Sequence, residues 1–510
     1  MKQYLVTASQ MKHYDTNTIE KIGIPSLVLM ERAALVTVEE IQKACPKPQA
    51  KVLVVAGCGN NGGDGLAIGR LLMLQGYRVE IVMIGDRMKC TDETSAQMKI
   101  LSQYGMSVKD AIECDEYDIV VDALFGIGLS RNVTGIYAEV IERINRMEGF
   151  ICSVDIPSGV CADDGRILGC AVRADLTVTY GFYKLGQILY EAASFCGRVV
   201  CREMGINERS FLAEIPEWYT LCEESGKSLL PVRRAEGNKG TFGKVLVIAG
   251  SSHACGAAVL SARSAFRMGT GMVKTVTVTE NRDVFLQAVP ESMLLTYREA
   301  ADRAEQEQFE ASLQESFAWA DAILIGPGIG TGRQAHYLLE KCLTDSALPL
   351  LIDADGLNLL AEDPKLRELA ANTGSGGRTI VLTPHIGEFA RLYGCSITQV
   401  KENLLQYPLE LAKRMHAVVV CKDARTVVTA PDAKEHYLNT TGNDGMATAG
   451  SGDVLAGMIA GLLAQNMDGM EAAVCGVYLH GAAGDLAAQK ETRHSMMASD
   501  IIEQIGRVIE

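Results

Sequence analysis

No run of this chain approaches the roughly 20 apolar residues that a membrane-crossing helix needs. The opening MKQYLVTASQMKHYD has no apolar core of secretory-signal length. Both absences set the expectation of a cytoplasmic protein with no membrane partner. Positive charge is in deficit: 48 Lys and Arg stand against 63 Asp and Glu, a net charge of -15. That balance argues against nucleic acid or an anionic surface as a general partner. It leaves nucleotides open, because local N–H groups and a bound cation offset distant acids. No CxxC pair occurs among the 15 cysteines. Their odd number and irregular spacing read as free buried thiols in a reducing compartment, not as disulfides or a zinc site.

What the chain does have is length and alternation. Its 510 residues exceed one ordinary core, so two domains are expected. Thr7 to Gln42 reads helical, with Ser9 a candidate cap for one helix and Pro25-Ser26 the start of a second. Buried strands are then expected at Lys51–Gly57, Tyr77–Gly85, Tyr117–Gly126, Gly149–Gly159, Ala174–Gly181 and Gly197–Gly205, with helices at Leu66–Gln75, Thr94–Tyr104 and Ile136–Arg146. The pattern lapses between Asn207 and Asn238, which puts a boundary near Ser225. Strands resume at Gly243–Ser252, Met272–Val278, Asp321–Gly326, Pro349–Asp353, Thr379–Thr383, Ala417–Lys422 and Thr426–Ala430, and Gly452–Ala464 and Glu471–Lys490 read as helices. Steady strand–helix alternation means α/β architecture, two doubly wound αβα sandwiches.

Each half carries a glycine-rich turn between a strand and a helix, where free N–H groups suit anionic oxygens. In the first half, GCGNNG (Gly57–Gly62) fits a dinucleotide fingerprint, with Glu80 about where a ribose-binding acid would stand. The unusual part is NNGGDG: Asn60, Asn61, Gly62, Gly63, Asp64 and Gly65 crowd amides and an acid onto what reads as a turn. Asn oxygens can ligate a hard cation and Asn NH2 can donate to phosphate; the bland alternative is a tight turn with Asn in left-handed conformations. Asp122, Asp155 and Ser158 fall at later strand ends, where ligands gather in open parallel sheets. Any one of these acids alone would equally suit a helix cap.

AGCGNNGGDG, VDALFGIGL and VDIPSGV, in this order, resemble the N-terminal domain of NAD(P)HX epimerases from Met1 to about Glu224. The resemblance implies a Rossmann-like domain, 1–224. It implies substrate contacts at Asn60, Asn61, Gly62, Gly63 and Asp64, at Asp155, and along the loop of Gly126, Ile127, Gly128, Leu129, Ser130, Arg131 and Asn132. It also implies a potassium ion on Asn61, Asp122 and Ser158, and makes Asp155 the acid or base, since epimerisation at a carbon bearing nitrogen and hydroxyl needs only modest proton transfer. One departure is GFYKLG (Gly181–Gly186), which keeps Lys184 and Gly186 but lacks the prolines of a PKPG-like turn.

In the second half, GMATAGSGDVLAG (Gly445–Gly457) is not a Walker loop, having no GK[ST]. Gly450-Ser451-Gly452 opens a helix and Asp453 follows, a base beside N–H groups that would stabilise a transferring phosphoryl group. The bland alternative is an acid favoured by the helix dipole. His385 and Glu388, Asp353 and Asp355, and the turn around Gly328 share strand ends with it. From about Leu229 to Glu510 the motifs resemble the ribokinase-like fold and, more closely, ADP-dependent NAD(P)HX dehydratases. That resemblance implies a domain 229–510, substrate contacts at Ala257, Gly328, His385 and Asp453, and nucleotide contacts at Lys422, Asp423, Ala424, Arg425, Thr426 and Gly452. Departures are PHIGE for PHPGE, Ala449 in TAGSGD, and Asp444 in the TGN turn, which adds negative charge near the expected phosphate.

Together the halves look like a bifunctional repair enzyme acting on NADHX and NADPHX, with ADP as co-substrate, magnesium at the phosphates and potassium in the first domain. A homo-oligomer is expected, and no nucleic-acid partner. Three alternatives remain at this point: a ribokinase-like small-molecule kinase fused to a nucleotide-binding domain, an NAD-dependent dehydrogenase built on GCGNNG, and a non-catalytic nucleotide sensor. The first leaves NNGGD unexplained and the second leaves the C-terminal half unexplained. Preference for ADP over ATP rests on the resemblance alone.

Overall fold

The computed structural model describes residues 2–47, 49–222, 225–299 and 302–509. The outer limits expected for the domains, Met1, Glu224 and Glu510, lie outside these residues. The chain forms two compact units, Gln3–Trp218 and a second comprising Tyr219–Glu510 with the first two residues. Both are α/β with parallel sheets.

The N-terminal unit contains β1 (Lys2–Val6), β2 (Lys51–Ala56), β3 (Arg78–Met83), β4 (Val108–Lys109), β5 (Ile119–Ala123), β6 (Phe150–Val154), β7 (Leu176–Tyr180), β8 (Tyr183–Lys184) and β9 (Arg198–Arg202). Seven of them form one sheet, ordered β4-β3-β2-β5-β6-β7-β9, with every pairing parallel. Val52, Leu53, Val54, Val55 and the matching β5 residues are fully buried on both faces, the pattern of a central parallel strand. Each such apolar side chain contributes about 1.5–3 kcal/mol on burial.

Several expectations are corrected here. Thr7, not Ser9, caps the first helix (Ala8–Asn17): its hydroxyl accepts the Gln10 N–H while the Gln10 side chain accepts the Thr7 N–H, a capping box with Gln in the usual acidic position. The residues before it form β1, which the helical reading omitted and which pairs with β8 (Leu5↔Tyr183, Val6↔Lys184). The helix expected from Leu66 begins at Asn60, so NNGGDG is its first turn and a half rather than a free loop, and its Asn residues are not left-handed. Glu80 lies in mid-strand on β3 and pairs with Lys109 at 3.1 Å, away from any strand end. Five of the cysteines are buried and ten only half-buried, all free.

The C-terminal unit holds β10 (Trp218–Leu221), β11 (Lys244–Ile248), β12 (Met272–Val278), β13 (Met293–Tyr297), β14 (Ala322–Ile325), β15 (Leu350–Ile352), β16 (Ile380–Leu382), β17 (Val418–Cys421), β18 (Val427–Thr429) and β19 (His436–Leu438). Their order is β13-β12-β11-β14-β15-β16-β17-β18-β19-β10. Pairings are parallel from β13 to β17, then antiparallel through β18 and β19. The Ser451–Ala464 helix is buried along nearly its whole length. Gly457 lets it lie against the Cys255–Arg267 helix, because a Cβ there would stand 2.1 Å from the Ser264 hydroxyl oxygen. No described helix is long and apolar enough to cross a membrane.

Two candidate active sites

The carboxyl ends of β2, β5, β6 and β7 surround a cavity of about 610 Å³. Asn60, Asn61 and Asp64 line it from the Asn60–Leu74 helix, Gly126 to Arg131 from the loop after β5, and Asp155 from beyond β6. Gly62, Gly63 and Asn132 are not on its wall. Gly62 and Gly63 are instead packing positions: a Cβ on Gly62 would sit 1.8 Å from the Gly57 carbonyl oxygen, and one on Gly63 would meet Met30 at 2.6 Å. Gly62 thus lets the helix start close on the end of β2, and Gly63 lets the Ser26–Ala44 helix approach.

Asp155 has φ +64°, in the left-handed region that non-glycine residues seldom occupy. That turn swings its side chain back toward β7 and β8. Lys184 Nζ pairs with Asp155 Oδ1, and Thr179 Oγ1 donates to the same oxygen at 3.0 Å. Gln187 Nε2 holds the Asp155 carbonyl at 2.6 Å. Lys184 is 0% exposed and also reaches Thr179 Oγ1 (2.7 Å) and the Tyr180 carbonyl (3.2 Å). So GFYKLG, without its prolines, still delivers the lysine, and β1 holds it in place through the Val6↔Lys184 pairing. Asp64 differs: burial pushes its carboxyl well above the usual range, and the charges of Asp155 and Asp15 add to this.

Asp122 and Ser158 lie behind the cavity wall, both 0% exposed. Ser158 donates to Asp122 through its hydroxyl (2.5 Å) and its N–H (2.9 Å), and Ser153 donates at 2.8 Å. Asn61 Nδ2 is buried without a partner among the described residues, and a Cβ on Gly126 would stand 3.3 Å from Asn61 Oδ1. Lys12 and Asp15 from the first helix, Glu93 from the Asp92–Gln103 helix, and Tyr180 also line the cavity. Sequence reading missed them. Glu93 reads as an ordinary first-turn acid and Asp15 as an ordinary helix-surface acid, so no local pattern marks them.

In the C-terminal unit, β15, β16 and β17 bring Asp353, Thr383, His385 and Lys422 together. Lys422 Nζ donates to Asp353 Oδ1 at 2.7 Å, and Thr383 Oγ1 donates to that oxygen at 2.8 Å. Burial works to lower the Lys422 pKa, but Asp353 and Glu388 outweigh it and hold the ammonium above its ordinary value. A Cβ on Gly452 would lie 3.2 Å from Lys422 Nζ, so the ammonium faces the start of the Ser451–Ala464 helix. Asp453 is in that first turn. Burial, then the negative charge of Asp353, pushes its carboxyl to about 7, with Lys422 opposing.

His385 caps the Ile386–Tyr393 helix, its Nδ1 accepting the Gly387 N–H at 2.9 Å. Burial and the nearby cations Lys422 and Arg391 lower its pKa, so the ring is neutral with its proton on Nε2. Ala257 and Gly328 are neighbours: a Cβ on Gly328 would be 3.0 Å from that of Ala257. Lys422 to Thr426 is the β17–β18 connection, where Thr426 Oγ1 donates to the Asp423 carbonyl at 3.2 Å and Asp423 and Ala424 are exposed. Asp444 faces solvent and pairs with Arg493 at 3.4 Å. His480, buried and held down to about 4 by burial and Lys422, was not singled out from the sequence; it stands 3.4 Å from Ser451 Oγ.

Two α/β units, each with carboxylates and glycine turns at its strand ends, define a two-domain enzyme. A family model described as NAD(P)H-hydrate dehydratase matches residues 245–507, and one described as YjeF-related protein N-terminus matches 26–186. The bifunctional NAD(P)H-hydrate repair enzyme Nnr of Moorella thermoacetica is 36% identical over 518 residues, covering 99% of this chain and 96% of the relative. That of Thermofilum pendens is 34% identical, covering 98% and 95%. The chain also overlays 96% of a Bacillus subtilis ADP/ATP-dependent NAD(P)H-hydrate dehydratase crystallised with ATP and Mg2+, at 30% identity over 57% of this chain and a TM-score of 0.47. The chain belongs to the family of bifunctional NAD(P)H-hydrate repair enzymes.

Proposed function

We propose that this enzyme repairs hydrated reduced nicotinamide nucleotides. Residues 1–224 form the domain that interconverts the R and S hydrates, and residues 229–510 the domain that dehydrates S-NAD(P)HX to NAD(P)H, consuming ADP and releasing AMP and phosphate. The observation that carries this reading is that Lys422 Nζ faces the start of the Ser451–Ala464 helix, whose first turn carries Asp453: a base beside a phosphate anchor. Asp453 takes the proton of the hydrate hydroxyl as its oxygen attacks the terminal phosphorus of ADP. The bond to AMP breaks, and phosphate then leaves C6 while C5 gives up a proton and the ring double bond reforms. The helix N–H groups and Lys422 offset charge on the transferring group. Ala257, Gly328 and His385 bind the hydrate; Asp423, Ala424, Arg425, Thr426 and Gly452 bind the nucleotide. Magnesium, when bound, supplies further neutralisation of the phosphates.

In the first domain the oxygens of Asn61, Asp122 and Ser158 suit a hard monovalent cation. Asp122 is wholly buried with no cation partner among the described residues, and the orphaned Asn61 Nδ2 turns its amide so that Oδ1 faces Gly126. Potassium there would balance a buried carboxylate and supply positive charge next to the substrate. Asp155 moves the substrate proton, while Asn60, Asn61, Asp64 and Gly126 to Arg131 hold the nucleotide against it.

The test mixes purified protein with both epimers of hydrated NADPH, adds ADP or ATP, and follows reduced-nicotinamide absorbance. Complete recovery with ADP is expected. Failure to recover with either nucleotide refutes the dehydratase, and recovery that stops at the S fraction refutes the epimerase. Protein species in solution, read by light scattering, tests the homo-oligomer.

A further inference from the structure

The epimerase cavity holds carboxyls in unlike company. Asp155 has an ammonium and a hydroxyl on Oδ1. Asp64, on the same cavity, has neither a cation nor a side-chain hydrogen bond among the described residues, and Asp15 and Glu93 line the cavity with it; the Asp155 charge acts on it more strongly than that of Asp15. Burial and its acidic neighbours disfavour the charged form of a carboxyl so placed and raise its pKa well above the usual carboxylate range. The cavity therefore presents, close together, a carboxylate held by an ammonium and a carboxyl with no such partner, an acceptor and a donor suited to moving a proton on and off one substrate.

Inverting C6, which carries both the ring nitrogen and the hydroxyl, has two chemical routes. Loss of the hydroxyl as water gives a cationic C6=N1 bond, to which water returns on the other face. Beside a carboxylate base, that cation would also lose its C5 proton and become dihydronicotinamide without any ADP, which would make the second domain redundant. Breaking N1–C6 instead avoids that leak, since the oxygen never leaves carbon.

Resting on the epimerase reading above, we propose that Asp155 and Asp64 are the acceptor and donor of a ring-opening epimerisation. Asp155 takes the hydroxyl proton, and the freed O–H pair makes the aldehyde C=O. The N1–C6 bond breaks with its electron pair going to N1, and Asp64 gives its proton to N1. Rotation about C5–C6 turns the other aldehyde face to N1. The same steps in reverse close the ring: N1 returns its proton to Asp64, Asp155 gives its proton back to the C6 oxygen, and that oxygen stays in place. Asp64 is thus a catalytic residue and not only a wall of the binding site; Lys184 is a positioning residue that acts through Asp155.

The deciding experiment uses the full chain without ADP. Pure S-NADPHX is incubated in oxygen-18 water, and early R product is analysed by mass spectrometry. R product keeping its original oxygen is expected. R product carrying one solvent oxygen per inversion overturns ring opening while leaving the epimerase intact. No inversion above the buffer rate takes down the epimerase reading itself, a distinct result. In parallel, Asp64→Asn is expected to lower kcat for inversion about 100-fold or more, with KM within about threefold. An unchanged kcat overturns the assignment of Asp64. Should that variant fail to fold, the isotope result on the unaltered chain still decides the route.

Discussion

Removing the ammonium from beneath Asp155 gives the sharpest test of how this site is held. Lys184→Met keeps an unbranched side chain of nearly the same length but takes away the donor to Asp155, Thr179 and the Tyr180 carbonyl. Breaking a buried ion pair by removing one partner costs about 3–5 kcal/mol. The lower figure applies here, because the Asp155 side chain keeps 14% of its surface exposed, and cavity water can solvate it. For the Gln3–Trp218 unit, of roughly 200 residues, each kcal/mol moves the unfolding midpoint by about 2–4 °C. A fall of about 6–12 °C follows for the temperature at which epimerase activity is lost. Asp155→Asn should fall by a similar amount, since it strands the fully buried Lys184. The double variant Lys184→Met/Asp155→Asn should lose no more than either single one, because both charges are then gone. The assay is residual epimerase folding, read by NADPH-hydrate binding after brief heating at graded temperatures. If Lys184→Met shifts the midpoint by less than about 2 °C, or if the losses simply add in the double variant, Lys184 does not compensate Asp155 and the reasoning fails.

Other outcomes follow from the same structure. Asp453 is raised by folding from its ordinary value to about 7, so its contribution to stability is full below about pH 4 and is lost as pH climbs through 7. Asp453→Asn should therefore abolish dehydration yet gain thermal stability over the parent between pH 5 and pH 8, and a melting comparison with no such gain would contradict this. For the parent, dehydratase kcat should rise with pH through about 7 as Asp453 loses its proton; a flat profile from pH 6 to 8 would remove Asp453 as the base. Gly62→Ala should destroy the first domain, since its Cβ would meet the Gly57 oxygen at 1.8 Å, whereas Gly59→Ala has nothing within 4 Å and should fold normally; equal thermal melting of the two would be evidence against the packing argument. Replacing potassium by a bulky organic cation should slow inversion but not dehydration, and Ser158→Ala should abolish that salt effect in the same assay.

Much of this fold can be read in local patterns. Apolar runs such as KVLVVA and MVKTVTV mark central strands because both faces are buried, and the turn glycines mark where each strand gives way to a helix. The motifs around Asp122, Asp155, His385 and Asp453 reach the strand ends because a parallel sheet puts all its carboxyl termini on one side. The short pieces were less legible. β1, β8, β13 and β19 are only two to five residues long, too short to show a periodicity, and β1 pairs with β8, about 180 residues further along the chain. Helix starts were also displaced, because Asn60 to Gly65 suit a turn by composition while their glycines serve close packing within a helix.

The sequence by itself determined the two-unit α/β plan, the family, and the carboxylates at each rim, since strand periodicity and contiguous motifs are local properties. Only tertiary structure decided what each carboxylate is. Asp155 gains its ammonium from a residue 29 positions away that a missed strand holds in register. Asp64 has none among the described residues, and Asp453, in the first turn of a helix, takes its character from burial and from Asp353, just beyond β15. Protonation depends on burial and on charges within a few ångströms, and those are set by which strands lie side by side, not by which residues are adjacent in the chain.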